Sequence, residues 1–140
     1  MKTLRQQFEG AGTLHGHLCG GLAIGVRAAW EAEELLHGGE ISCELEKSAC
    51  WVDGIRWVLG AEKENGRLTV GSGENARFTF TKGGDCVELT LKKLPDMGKE
   101  EMISYLLTAP REAIFEVDFP WIRPLYPIAL ATAALPEKRL

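Results

Sequence analysis

Two histidines and a cysteine lie close together near the start of the chain. His15, His17 and Cys19 are separated by Gly16 and Leu18, so that two imidazoles and a thiol fall within five residues. Imidazole nitrogen and thiolate sulfur are the ligands that zinc and similar borderline-soft metal ions prefer. The segment therefore indicates a metal site, although a helix cap with ordinary polar residues and a buried cysteine would give the same pattern.

A second thiol, that of Cys50, is followed three residues later by Asp53 in a segment with helical periodicity. Residues three apart share one face of a helix. Cys50 could complete a His/Cys metal site, and Asp53 could orient an imidazole ligand through a hydrogen bond. Alternatively, Cys50 is a small core residue and Asp53 a solvated helix charge. The residues themselves leave both interpretations open.

The element that would position the first group is a long helix over residues 17–36, whose apolar side chains recur at helical spacing. These side chains are Leu18, Leu22, Val26, Ala29 and Leu36. A second stripe of small residues indicates that another helix or a ligand approaches the backbone closely. It consists of Gly21, Gly25, Ala28 and Ala32. Cys19 would lie in the first turn, where the helix dipole favours its thiolate. Glu31, Glu33 and Glu34 are expected on a solvated face.

The remaining patterns predict an α+β domain with a mixed sheet. A short first helix over residues 2–9 should be broken by Gly10 and Gly12, and a helix over 49–59 should follow Ser48 as its N-cap. Alternation predicts strands at 40–47, 67–70 and 114–117, and a helix is predicted at 99–108. The two-residue turn Gly83-Gly84 predicts a hairpin. Its predicted pairs are Lys82 with Asp85, Phe80 with Val87, and Phe78 with Leu89.

The chain of 140 residues fits one domain, here assigned to residues 1–118, followed by an extended arm rich in proline and aromatic residues at 119–140. An arm this apolar should pack on the domain or on a dimer partner. The net charge of −4 argues against nucleic acid and anionic membranes as partners. The polar N-terminus shows no apolar signal region, so the four cysteines are expected to be reduced thiols in the cytoplasm.

Two segments of the chain resemble the FmdE family, which is named after a component of formylmethanofuran dehydrogenase. The first segment begins at His15 and reads His-Gly-His-Leu-Cys-Gly-Gly-Leu-Ala-Ile-Gly-Val-Arg, and the second begins at Cys50 and reads Cys-Trp-Val-Asp-Gly-Ile. The family motifs read His-Gly-His-x-Cys-Pro-Gly-Leu-Ala-x-Gly-x-Arg and Cys-x-x-Asp-Ala-Ile-Gln. The resemblance extends from about His15 to Val117.

This resemblance implies a thioredoxin-like core with a mixed sheet of about five strands flanked by helices, often in a homodimer. It also implies a site for a divalent transition metal, zinc being the first expectation. His17, Cys19 and Cys50 would be the ligands, and His15 and Asp53 would be alternative ligands or groups that hydrogen-bond to the ligands. Three protein ligands leave a fourth position for water or a substrate, as in catalytic zinc sites.

The resemblance further implies an accessory or enzymatic role in anaerobic one-carbon or molybdenum-linked metabolism, beside a molybdenum or tungsten oxidoreductase complex. Two alternatives are a carrier that delivers a metal or cofactor without catalysis, and a thiol redox protein that uses Cys19 and Cys50. The chain departs from the family at Gly20, where proline is usual, and at Gly54, where alanine is usual. In residues 60–67, Ala61, Glu62 and Asn65 stand where the family segment Gly-Cys-Thr-x-Gly-Lys-Gly-Asn has cysteine, threonine and lysine. A C-terminal Cys-x-x-Cys zinc finger, which longer members carry, is also missing.

Overall fold

The computed structural model describes residues 2–120, in which helices cover one mixed sheet. The helices are α1 (Leu4–His15), α2 (Gly20–Leu35), α3 (Trp51–Leu59), α4 (Lys99–Thr108) and α5 (Arg111–Ile114). The strands are β1 (Ser42–Leu45), β2 (Leu68–Val70), β3 (Arg77–Lys82), β4 (Asp85–Leu91) and β5 (Phe115–Asp118). The arm predicted for 119–140 lies, beyond Pro120, outside the described residues.

The sheet has the strand order β2-β1-β3-β4-β5. Strands β1 and β2 are parallel, and the other neighbouring pairs are antiparallel. The predicted α+β class with a mixed sheet of five strands is therefore confirmed, whereas the closer likeness to thioredoxin stays a prediction. The hairpin has the predicted register, which pairs Lys82 with Asp85, Phe80 with Val87, and Phe78 with Leu89.

A hydrophobic core joins the helices to the sheet. Phe78 of β3 is fully buried at its centre. Its ring meets that of Trp51 edge to face at 5.3 Å and that of Phe115 at 6.2 Å. These contacts tie the start of α3, which follows Cys50 directly, to the middle and the edge of the sheet. Among residues 2–120 no helix is long and apolar enough to cross a bilayer.

The first helix is longer than predicted, because its glycines are packing positions and not helix breaks. A Cβ atom at Gly10 would lie 2.5 Å from Cζ2 of Trp57, so the missing side chain makes room for the indole of α3. The helix consequently continues through Gly12 to His15. Thr3 caps its start, since its side chain accepts a hydrogen bond from the Gln6 amide at 3.1 Å.

The two following helices begin later than predicted. Helix α2 starts at Gly20, with Cys19 as its N-cap, so the predicted start near residue 17 is wrong. The Cys19 sulfur accepts a hydrogen bond from the Leu22 amide at 3.4 Å, which satisfies one of the unpaired donors at the helix start. Leu18 is thereby left outside the helix and 40% exposed. Helix α3 is preceded by Cys50, and Ser48 does not cap it.

Helices α2 and α3 touch backbone to backbone. A Cβ atom at Gly25 would overlap the carbonyl oxygen of Trp51 and lie 2.7 Å from its Cα atom. A Cβ atom at Gly54 would lie 2.7 Å from the backbone nitrogen of Val26. The partner of the small-residue stripe in α2 is therefore helix α3, and this contact fixes the position of α3 relative to the start of α2.

The predicted solvated position of Glu31 is wrong, because the structure buries this residue to 4% exposure. Its carboxylate accepts hydrogen bonds from Nε of Arg27 at 2.7 Å and from Nε of Arg111 at 2.6 Å. Arg27 also donates to the carbonyl oxygen of Leu106 at 2.9 Å. The prediction failed because a carboxylate can be buried when guanidinium groups neutralise it, here Arg27 of the same helix and Arg111 of α5.

Candidate metal centre

The first group of predicted site residues lies in the turn between α1 and α2. His15 is the last residue of α1, which ends at Gly16 in the left-handed conformation (φ 101°). His17 follows in the turn, and Cys19 caps α2. The turn therefore places both imidazoles and the thiol between the end of one helix and the start of the next.

The ligand atoms of His15, His17 and Cys19 all lie within 4.8 Å of one another. Nε2 of His15 is 3.8 Å from Sγ of Cys19. A tetrahedral zinc ion with ordinary bond lengths would hold such a nitrogen and sulfur about 3.6 Å apart. The third donor, on the exposed side chain of His17, would need to approach by about 1 Å. The donor set and its spacing thus fit a zinc-type ion.

Cys50 approaches the same place from the start of α3. It lies against the first turn of α2, since a Cβ atom at Gly21 would be 2.9 Å from Cβ and 3.7 Å from Sγ of Cys50. Burial raises the pKa of the Cys50 thiol, and a hydrogen bond with Cys19 and repulsion between the two thiolates raise it further. The two thiols are therefore neighbours, although they are thirty-one residues apart in the sequence.

Asp53 contacts His15 directly. Nδ1 of His15 lies 2.8 Å from Oδ2 of Asp53. Burial alone would raise the pKa of Asp53, but hydrogen bonds from His15 and Arg56 outweigh it and lower that pKa below its usual value. An ionised carboxylate can only accept, so Nδ1 of His15 is the donor in this hydrogen bond, and Nε2 is the ring nitrogen that faces Cys19. This is how a carboxylate orients a histidine ligand in metal sites.

Two further residues extend this arrangement. Arg56 donates from a terminal guanidinium nitrogen to Oδ1 of Asp53 at 2.8 Å and from Nε to Oε1 of Glu62 at 2.7 Å. Sequence reasoning missed both residues. Arg56 follows Asp53 by three positions, which signals an ion pair on one helix face, but the contact with Glu62 depends on the path of the chain after Gly60.

The structure brings three of the predicted site residues into one group and places the other two beside it. His15, His17 and Cys19 form a compact group, Cys50 adjoins Cys19, and Asp53 holds His15. His15 was predicted as an alternative ligand or as a residue that hydrogen-bonds to a ligand, and its Nε2 lies only 3.8 Å from Sγ of Cys19. Which of these atoms bind an ion stays a prediction.

Comparisons with known proteins identify the family and a related fold. A family model described as "FmdE, Molybdenum formylmethanofuran dehydrogenase operon" matches residues 14–116. A crystal structure of a tungsten formylmethanofuran dehydrogenase FmdE-like protein from Syntrophus aciditrophicus matches with a TM-score of 0.64 and 18% sequence identity. The match covers 86% of this chain and 73% of that chain, and at this identity it shows the fold alone. No curated protein gives a significant match.

Proposed function

Because the chain belongs to the FmdE family, we propose that it binds a divalent transition metal, zinc being the first expectation, between α1, α2 and α3. The observation that supports this proposal is the pair of Nε2 of His15 and Sγ of Cys19 at 3.8 Å, with a second imidazole and a second thiol beside it. A nitrogen and a sulfur at this separation can bind one ion without a large movement of the chain.

Each residue has a distinct part in the proposed site. Cys19, Cys50 and His17 are the ligands that the sequence motifs imply, and His15 is an alternative ligand through Nε2. Asp53 fixes the ring of His15, and the N-terminus of α2 favours a thiolate at Cys19. When bound, the ion would supply a Lewis acid that polarises an oxygen of a substrate.

The physiological role that we propose is accessory or enzymatic, in anaerobic one-carbon or molybdenum-linked metabolism. The description of the family as belonging to a molybdenum formylmethanofuran dehydrogenase operon supports this role. The partner would be a molybdenum or tungsten oxidoreductase complex in the cytoplasm. We also propose that the protein is a homodimer.

Elemental analysis of protein purified without oxygen tests the metal proposal. We expect about one ion per chain in the wild type and a large loss in Cys19→Ser and in Cys50→Ser. Cys43→Ala is the matched control, because Cys43 is a buried cysteine of β1, 3% exposed, and is not one of the proposed ligands. Absence of metal from the wild type, together with failure to load zinc, cobalt or nickel, would contradict the proposal.

An enzyme and a carrier differ in how readily they release the ion. A carrier should surrender its metal to a competing chelator or an apo-partner, whereas an enzyme should retain it. Measuring the transfer rate from loaded protein to a chromogenic chelator therefore separates these two forms of the proposal.

A thiol redox protein is the second candidate, and the contact between Cys19 and Cys50 favours it. In the corresponding step the two thiols give two electrons and two protons to a small-molecule disulfide, which leaves as two thiols while a Cys19–Cys50 disulfide forms. Thiol counting after exposure to such a disulfide should show two thiols lost together in the wild type. In Cys50→Ser no such paired loss is expected, and equal losses in both proteins would exclude this candidate.

A further inference from the structure

We propose that Arg56 and Glu62 are positioning residues that hold His15 in its metal-binding orientation by acting through Asp53; this rests on the proposed metal-binding function. The four side chains form an unbroken series of contacts of 2.7–2.8 Å from the loop after α3 to the turn before α2.

The carboxylate of Asp53 has a different partner on each oxygen. Oδ2 faces Nδ1 of His15, and Oδ1 faces Arg56, both at 2.8 Å. A carboxylate held by one partner alone can rotate about its last bond, whereas two partners on opposite oxygens fix its plane. Arg56 therefore determines the direction from which Asp53 accepts the hydrogen bond of His15, and through it the direction of Nε2.

Arg56 is in turn fixed from the other side. Glu62 accepts from its Nε, and the side chain of Asn65 accepts from the Glu62 amide at 3.0 Å. The side-chain amide nitrogen of Asn65 donates to the carbonyl oxygen of Gly60 at 2.9 Å, which closes the loop that carries Glu62. The guanidinium group is thus held between a helix residue and a closed loop.

Exposure indicates what this series contributes. The side chain of His15 is 13% exposed, whereas those of Arg56 and Glu62 are 33% and 34% exposed. Ion pairs this exposed are screened by solvent and contribute little to stability. Their geometry can still limit the rotamers of Asp53, so orientation is the main effect that we expect from them.

The first test is the tautomer of His15 in metal-free protein, read from ¹⁵N chemical shifts and two-bond couplings of the ring. We expect the wild type to carry the proton on Nδ1 and Arg56→Ala to shift a measurable fraction onto Nε2. Arg77→Ala is the matched control, because it breaks a 3.3 Å ion pair with Glu46 at the start of β3. An unchanged tautomer ratio in Arg56→Ala would overturn the proposal, whether or not the protein binds metal.

The second test is zinc affinity, measured by competition with a chromogenic chelator. Losing the group that orients a histidine ligand costs about 10–100-fold in affinity, which is the loss expected for Asp53→Asn. Arg56→Ala acts one contact further away, so we expect a loss of about 3–10-fold, with a smaller loss in Glu62→Gln. In a background of Asp53→Asn, Arg56→Ala should cause no further loss, because the path to His15 is already broken.

The outcomes separate the two proposals. Full additivity of the Arg56 and Asp53 substitutions, or an Arg56→Ala affinity equal to that of Arg77→Ala, would overturn the positioning role while leaving metal binding intact. A wild type that binds no zinc would overturn the proposed function, and the tautomer measurement would then still decide whether Arg56 orients His15. Urea unfolding of each metal-free variant identifies any change due to loss of the fold.

Discussion

Replacement of Gly25 by alanine should separate helices α2 and α3 and destabilise the protein. The added Cβ would lie 2.7 Å from Cα of Trp51, whereas carbon atoms in contact lie about 3.5–4.0 Å apart. The helices must therefore move apart by about 1 Å, because the obstacle is backbone and cannot rotate away. Overpacking of this kind costs roughly 3 kcal/mol, and the better helix propensity of alanine returns about 1 kcal/mol.

The net loss of about 2 kcal/mol should appear in urea unfolding of the metal-free protein, followed by tryptophan fluorescence. It corresponds to a fall of roughly 6–10 °C in the midpoint of thermal unfolding for a domain of this size. Gly20→Ala is the matched control in the same helix, since its nearest new neighbour, Cγ of Met102, is 3.8 Å away. We expect that control to unfold within about 0.5 kcal/mol of the wild type.

The same displacement should reach the proposed metal site. Asp53 lies on α3 and His15 on α1, and a shift of about 1 Å would lengthen their 2.8 Å hydrogen bond beyond bonding distance. Gly25→Ala should therefore bind zinc about tenfold more weakly than Gly20→Ala. A variant of Gly25 with wild-type stability and wild-type zinc affinity would refute the reasoning, because it would mean that the two helices do not rely on backbone contact.

The thiol of Cys43, the carboxylate of Glu31 and the cap of α1 can each be tested separately. Cys43 is 3% exposed, and burial raises the pKa of its thiol far above the usual range. An alkylating reagent should therefore modify the partly exposed Cys19 in the native protein and Cys43 only after unfolding, as mass spectrometry of peptides can show. Glu31→Ala should lower the free energy of unfolding in urea by about 3–5 kcal/mol, because it leaves the buried Arg27 without its carboxylate partner. The control Glu34→Ala should lower it by less than about 0.5 kcal/mol. Equal losses in the two variants would contradict the burial of Glu31. Thr3→Ala removes the cap of α1 and should cost about 1 kcal/mol in the same assay, with no change expected in Thr13→Ala beyond about 0.5 kcal/mol.

The parts of the fold that were predictable from the sequence depend on local rules. The register of the hairpin follows from a two-residue turn and strict alternation, and both act between neighbours in the chain. The length of α1 does not follow from such local rules. Gly10 would end an isolated helix, but in the folded protein it leaves room for the indole ring of Trp57, and the helix continues. The burial of Glu31 likewise depends on Arg111, eighty residues away.

The candidate site divides in the same way. The grouping of His15, His17 and Cys19 is visible in the sequence, because the three residues share one turn. Their partners on α3 became predictable only through the second family motif, and the contact between Arg56 and Glu62 remained hidden in a loop whose path no pattern indicates. The local sequence therefore predicts where the site lies, whereas the contacts that orient its side chains depend on the tertiary structure.

The site draws its residues from two stretches that meet only after folding. His15, His17 and Cys19 come close in a chain of five residues, whereas Cys50 and Asp53 arrive when α3 docks on α2 through the glycine contact. An unfolded chain therefore offers a metal ion only the local donors, and the folded chain offers more. The ion would consequently bind the docked state more tightly than the undocked one, and free metal concentration would set how firmly α3 stays in place.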